Sequence, residues 1–196
     1  MPRRKRIPSP TGVYHWINRG VNQKKIFHVN KDYDFFLGLL AEHKDPLGIQ
    51  IYHYCLMSNH VHLLLWADSP QVLAAFSQYV QRRYAYYYCK VYHWKGQVFQ
   101  RMYKSLPIDK DTYLLECGRY IERNPLRAHM VERVEQYPYS SYFYYNTQPP
   151  SNSVITPSPA YLGLSDFQEE RQELYANYVS SGRAYEDLVD SALLKS

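Results

Sequence analysis

The stretch Met-Ser-Asn-His-Val-His-Leu-Leu-Leu-Trp at residues 57–66 constrains the fold more than any other part of the chain. From Val61 to Trp66 it is a short, bulky apolar run, and such a run reads as a buried strand. Side chains on a strand alternate between faces and rise about 3.3 Å per residue. His60 and His62 therefore share one face, about 6.6 Å apart, while Val61, Leu63 and Leu65 enter a core on the other. Gly48 to Leu56, with Ile49, Ile51, Tyr52 and Tyr54, reads as a preceding strand. The turn at Ser58-Asn59 makes the two an antiparallel hairpin.

Two imidazoles at that separation converge on one divalent cation and leave room for a third protein ligand, water or a substrate oxygen. Two surface histidines on a half-exposed strand are the competing reading, and a second stretch near residue 120 decides between them. In Arg119-Tyr120-Ile121-Glu122-Arg123-Asn124-Pro125, Tyr120 and Asn124 lie one helical turn apart and face the same side, with Leu114, Cys117 and Ile121 on the neighbouring, core-facing side. If this helix packs by the histidine strand, Asn124 supplies a third, oxygen ligand and Tyr120 reaches a bound phosphate. A phenolate nucleophile beside a cation is a complete set for breaking a phosphodiester with a protein group. Positive charge from Arg119 and Arg123 helps to expose the anion. Tyr113, two turns earlier, is the rival nucleophile but lacks the asparagine one turn on. Glu116 is read as an ion-pair partner for a nearby arginine.

The remaining elements follow in order. Val13 to Arg19 reads as a strand that stops at Gly20, with Asn18, Arg19, Lys24 and Lys25 as a polar, basic rim. Asn30 to Lys44 carries Tyr33, Phe36, Leu37 and Leu40 at helical spacing and ends at Asp45-Pro46. Ser69-Pro70 starts a helix that continues to about His93 on the stripe Leu73, Phe76, Val80, Tyr84, Tyr87 and Val91. Gln97 to Gln100 reads as a short strand leading into Arg101-Met102-Tyr103-Lys104. A helix from about Asp111 is expected to end near Asn124, because proline disfavours helical geometry at the residue before it. The organisation expected is a basic arm over 1–12, a catalytic domain over 13–147, a Pro- and Ser-rich linker over 148–164, and a helical C-terminal tail over 165–196, with a helix to about Ser181 and a second after Gly182.

Composition narrows the partner. A net charge of +5 is a weak vote for an anion, but 22 tyrosines beside 23 lysines and arginines supply rings to stack unpaired bases and cations to track phosphates. Arg3, Arg4, Lys5 and Arg6 form an arm suited to gripping phosphates or to solubility. Three dispersed cysteines exclude a disulfide framework, and no run suggests export or membrane insertion, so a cytoplasmic location is expected.

His60-Val61-His62 within Met57 to Leu64, Gly96 to Arg101, Arg119-Tyr120-Ile121 with Asn124 to Ala128, and Tyr137 to Tyr142 together resemble the REP-associated tyrosine transposases of the HUH single-strand transposase superfamily, in the family's order. The resemblance implies an α+β fold, a ferredoxin-like antiparallel sheet flanked by helices. It implies His60 and His62 as metal ligands, Asn124 as the third, Tyr120 as the nucleophile, and Mg²⁺ or Mn²⁺ as the cation. The implied substrate is single-stranded DNA with hairpins formed by palindromic repeats, cut to a 5′-phosphotyrosine and a 3′-hydroxyl by a monomer or homodimer. Asn18, Arg19, Arg101, Lys104, Arg119, Arg123 and Arg127, with the N-terminal arm, are the candidate DNA contacts. Two departures stand out: His129 occupies a position where a glycine is frequent, and Glu122-Arg123 is unusually charged. Two other functions remain open: a hairpin-binding module that does not cut, and a hydrolase in which water attacks.

Overall fold

The computed structural model describes residues 7–100, 102–109, 112–147 and 154–181. Strand β1 (Val13–Arg19) is followed by helix α1 (Asn30–Lys44), the hairpin β2 (Gln50–Met57) and β3 (His60–Trp66), helix α2 (Pro70–Val91) and strand β4 (Lys104–Pro107). The sheet order is β2-β3-β1-β4 with every pairing antiparallel, which makes two strand-helix-strand halves interleaved in one ferredoxin-like sheet. Helices α3 (Thr112–Arg127), α4 (Tyr142–Asn146), α5 (Pro159–Leu162) and α6 (Gln168–Ser180) follow. Among the described residues no helix is long and apolar enough to cross a membrane.

Register sorts the side chains onto two faces. Arg19, Ile17, His15 and Val13 lie opposite His60, His62, Leu64 and Trp66, and so share one face; Asn18, Trp16 and Tyr14 lie opposite Val61, Leu63 and Leu65 on the other. The second face packs against Phe36, Leu39 and Leu40 of α1 and Leu73, Phe76, Val80 and Tyr84 of α2, forming the larger apolar core. Trp16 is fully buried there and donates its indole N–H to Ser77 Oγ at 2.8 Å, which removes the cost of an unpaired donor. The histidine face is covered by α3, whose Leu114, Cys117, Tyr120 and Ile121 join Val13, Ile17, Cys55, Met57 and Leu64 in a second core. Cys55, Cys89 and Cys117 are free thiols.

Two expectations are corrected. The fourth strand is Lys104–Pro107 and not Gln97–Gln100, which makes only a bridge at Phe99 to Gly20. The free edge of β1 from Tyr14 to Ile17 is taken by residues 104–107, and Pro107 is tolerated there because an edge strand need not donate on its outer side. Helix α3 does not stop at Asn124 but continues through Pro125 to Arg127. Proline leaves the carbonyl of Ile121 without its usual donor, and Asn124 Nδ2 takes that carbonyl at 3.2 Å and that of Tyr120 at 2.9 Å. The helix then closes with Met130 N donating to Pro125 O and His129 N to Leu126 O, a Schellman arrangement with His129 at φ 52°.

The region past residue 147 is built into the fold where it is described. Ile155 is buried, Thr156 N donates to Ile51 O at 2.8 Å, and Tyr161, Tyr175 and Val179 join the apolar core. The second tail helix expected after Gly182 lies outside the described residues.

Candidate active site

The pairing of β1 with β3 sets three imidazoles along one face, with two of them fixed from behind. His60 donates its Nδ1–H to Asn59 Oδ1 at 2.6 Å, since a carbonyl-type oxygen only accepts. His62 Nδ1 faces His15 Nε2 at 2.9 Å. The His60 and His62 rings stand edge to face, 4.9 Å between centroids. Burial, then the neighbouring Arg19, brings the His60 pKa down to about 4; burial, with His60, His15, Arg19 and Arg127 adding to it, holds His62 well below its ordinary value. His15 is brought down to about 3 by burial. All three are neutral near pH 7, the form in which an imidazole ligates metal. With both Nδ1 atoms occupied, Nε2 of His60 and of His62 is the nitrogen left for a cation, so the donor set fits one.

Helix α3 delivers the remaining parts. The Tyr120 ring meets His15 and His62 edge-on at centroid distances of 5.8 and 6.0 Å, and the Arg127 guanidinium lies 5.1 Å from the same ring. The rival Tyr113 is 42 % exposed, whereas Tyr120 is 2 % exposed. Asn124, half-buried and one turn on, spends its Nδ2 on its own helix and keeps Oδ1 as an acceptor. No group of three or more His, Cys, Asp or Glu side chains is gathered to hold a metal among the described residues.

The predicted cations divide sharply. Arg19 pairs in register with His60, and its Nε is buried without a hydrogen-bond partner among the described residues. Lys104, opposite Ile17 on the same face, has its pKa lowered by burial and then by Arg19. With Arg127 these form a half-buried basic rim to the imidazoles. Arg119 and Arg123 do not: Arg119 pairs with Glu116 at 3.0 Å and donates to Ser181 O, while Arg123 donates to Val179 O at 2.8 Å and Ser180 O at 3.1 Å. The carbonyls ending α6 lack intrahelical donors, and these guanidiniums supply them. Asn18 is displaced too, because odd and even positions of β1 face opposite ways: it is buried on the α1/α2 side with neither amide atom paired among the described residues. Arg3, Arg4, Lys5, Arg6 and Arg101 lie outside the described residues.

Sequence reasoning missed His15 and a second buried group. His53 on β2 bonds through Nδ1 to Glu122 Oε1 at 2.9 Å, and Glu122 also accepts from Ser141 Oγ at 2.6 Å and Tyr175 OH at 2.8 Å. This explains the unusual charge of Glu122-Arg123: one residue ties α3 to β2 and α6, the other caps α6. The period-two spacing of His15 with Ile17 and Arg19 was the available signal for the first.

The profile of IS200-like transposases matches residues 10–124 of the chain. A REP-associated tyrosine transposase solved bound to a REP hairpin superposes with a TM-score of 0.61 at 14 % identity, over 74 % of this chain and 85 % of that one. A Deinococcus radiodurans protein assigned as a transposase aligns with a TM-score of 0.43 at 21 % identity, over 62 % of this chain and 97 % of that one. No curated protein matches the chain. Since the matched span exceeds half of the sequence and contains the histidine pair, Tyr120 and Asn124, the chain belongs to the IS200-like transposase family, enzymes that cut and move DNA.

Proposed function

We propose that this protein cuts and rejoins single-stranded DNA through a covalent 5′-phosphotyrosine on Tyr120. The observation that carries the reading is the approach of the Tyr120 ring to about 6 Å from His15 and His62, on two strands distant in sequence. The Tyr120 oxygen attacks phosphorus, the bond to the 3′ oxygen breaks, and the departing 3′ oxygen takes a proton as the strand end. The bond energy is kept in the phosphotyrosine, so a 3′-hydroxyl can attack it and reseal or transfer the strand.

His60 and His62 through Nε2, with Asn124 Oδ1, would hold Mg²⁺ or Mn²⁺. Such a cation supplies charge to polarise the non-bridging oxygens of the phosphate. Arg19, Lys104 and Arg127 grip the flanking phosphates, and Arg19 Nε, buried without a partner among the described residues, is a donor suited to such an oxygen. Hairpin-forming palindromic repeats are the proposed substrate, supported by the sequence blocks shared with REP-associated enzymes and by the fold shared with one crystallised on a REP hairpin. Because one chain brings its own Tyr120 to its own histidines, the proposed enzyme acts in cis.

Incubation with labelled hairpin DNA and Mn²⁺ tests this directly. Wild type should give a conjugate that survives denaturation, and Tyr120→Phe none. A mixture of Tyr120→Phe with His62→Ala should stay inactive; restored cleavage would mean that subunits exchange Tyr120.

A further inference from the structure

We propose that His15 is a positioning residue for the proposed cation site: its Nε2 accepts the Nδ1 proton of His62 and so fixes His62 with a bare Nε2 turned to the cation. This rests on the reading of His62 as a ligand. One proton lies between His15 Nε2 and His62 Nδ1, 2.9 Å apart. If it belongs to His15, then neutral His62 carries its own proton on Nε2 and has no lone pair to offer there. If it belongs to His62, the lone pair is on Nε2.

The neighbouring residue shows which arrangement the site is built for. His60 is held with its proton on Nδ1 by Asn59 Oδ1, an acceptor that cannot donate, so its Nε2 is bare. Two histidines on one strand face, each with an acceptor behind Nδ1, present like nitrogens to one point. His15 is to His62 what Asn59 is to His60. Partners of this kind fix the tautomer and ring orientation of a ligating imidazole and raise its basicity.

His15 also touches the nucleophile. Its ring lies 5.1 Å from that of His62 and 5.8 Å from that of Tyr120, so it is wedged between ligand and phenol. It is 1 % exposed and cannot swing aside without opening the core. Loss of its nitrogen therefore acts on metal binding through His62, while loss of its ring acts on Tyr120.

The experiment compares wild type, His15→Phe and His15→Gln. Phenylalanine keeps a ring against Tyr120 and removes the acceptor; glutamine places an amide oxygen near the position of Nε2. In metal-free, ¹⁵N-histidine-labelled protein, the His62 ring shifts should report protonated Nδ1 and bare Nε2 in wild type and His15→Gln, and a mixture in His15→Phe. Mn²⁺ affinity, followed by the electron paramagnetic resonance of the free ion, should fall about 10- to 100-fold in His15→Phe and recover in His15→Gln, with hairpin DNA affinity unchanged in both. A wild-type His62 protonated on Nε2 overturns the proposal, as does a His15→Phe variant that binds Mn²⁺ like wild type. Failure of the underlying reading looks different: wild type would show the Nδ1 tautomer but no broadening of His62 by Mn²⁺. If His15→Phe does not fold, the wild-type tautomer and the His15→Gln affinity decide alone.

Discussion

Two groups of buried imidazoles lie on the face that α3 covers, and they differ in what stands behind and before each ring. His53 has a carboxylate behind its Nδ1, and that carboxylate is itself bonded by Ser141 and Tyr175. In front, Nε2 meets the backbone of Gly118 so closely that a methyl there would sit 2.6 Å away. This ring is closed on both sides. The row His15, His62, His60 has only neutral groups, His15 Nε2 and Asn59 Oδ1, behind Nδ1 of His62 and of His60, and it opens at half-buried His60 onto Arg19, Lys104 and Arg127. The first ring is walled in and fixes α3, its Nδ1 tied to Glu122 and its Nε2 packed against Gly118 with no hydrogen-bond partner among the described residues; the second row opens at His60 beside a basic rim. Burial alone does not separate structure from function. What separates them is whether the ring is walled in by packed neighbours or opens at one end onto a basic rim.

The largest effect that tests this contrast is on chemistry. Tyr120→Phe and His62→Ala should each lower strand cleavage by at least about 10³-fold, as expected for loss of a nucleophile or an electrostatic stabiliser. The unfolding midpoint of Tyr120→Phe and the hairpin affinity of both should stay near wild type. Equal loss of binding and cleavage in His62→Ala would merge the two groups' roles and undo the division.

Glu122→Ala is the converse. It strands His53 and Tyr175 without their carboxylate acceptor in a site with no exposure on either side of the pair. Leaving a buried donor without its acceptor costs about 1–3 kcal/mol. Urea unfolding should show that loss, and the folded fraction should retain its Mn²⁺ affinity. A variant of undiminished stability would show that α3 is held by its apolar stripe alone.

Smaller still is Arg19→Ala. If Arg19 meets a phosphate, the salt dependence of single-strand binding should lose about 0.7 units of log–log slope, the share of one contact on a single strand. The same measurement on Arg123→Ala should leave the slope as it was, because that guanidinium already caps α6.

The sequence carried the parts of this contrast that are local. The hairpin, both long helices, the shared face of His60 and His62, and the turn joining Tyr120 to Asn124 all follow from periods of two or 3.6 residues. What was not legible depends on pairings between distant segments. His15 becomes a neighbour of His62 only through the β1–β3 register, and Glu122 meets His53 across 69 residues. Arg119 and Arg123 read as phosphate ligands because nothing local shows that α6 ends above them. Lys104–Pro107 has no alternation to announce a strand and is one because β1 offers a free edge. The passage of α3 through Pro125 depended on a side chain, Asn124, also needed as a candidate ligand.

That last residue leads to the smallest prediction, which probes the end of α3 without touching either imidazole group. His129 sits at φ 52°, in the left-handed region, at the position of the Schellman closure where glycine carries no steric penalty. A non-glycine residue there costs about 1 kcal/mol, so His129→Gly should stabilise the fold by about that much, or a few degrees in Tm for a domain of this size. Since the closing bonds run from the backbone of residues 128–130 to carbonyls of Asn124, Pro125 and Leu126, the substitution firms the turn that carries Asn124. Cleavage should be unchanged if α3 is already rigid at Asn124. A lower cleavage rate with higher stability would mean that the candidate amide ligand must move during the reaction, and that the open imidazole row is served by a helix end that is not fixed like the His53 side.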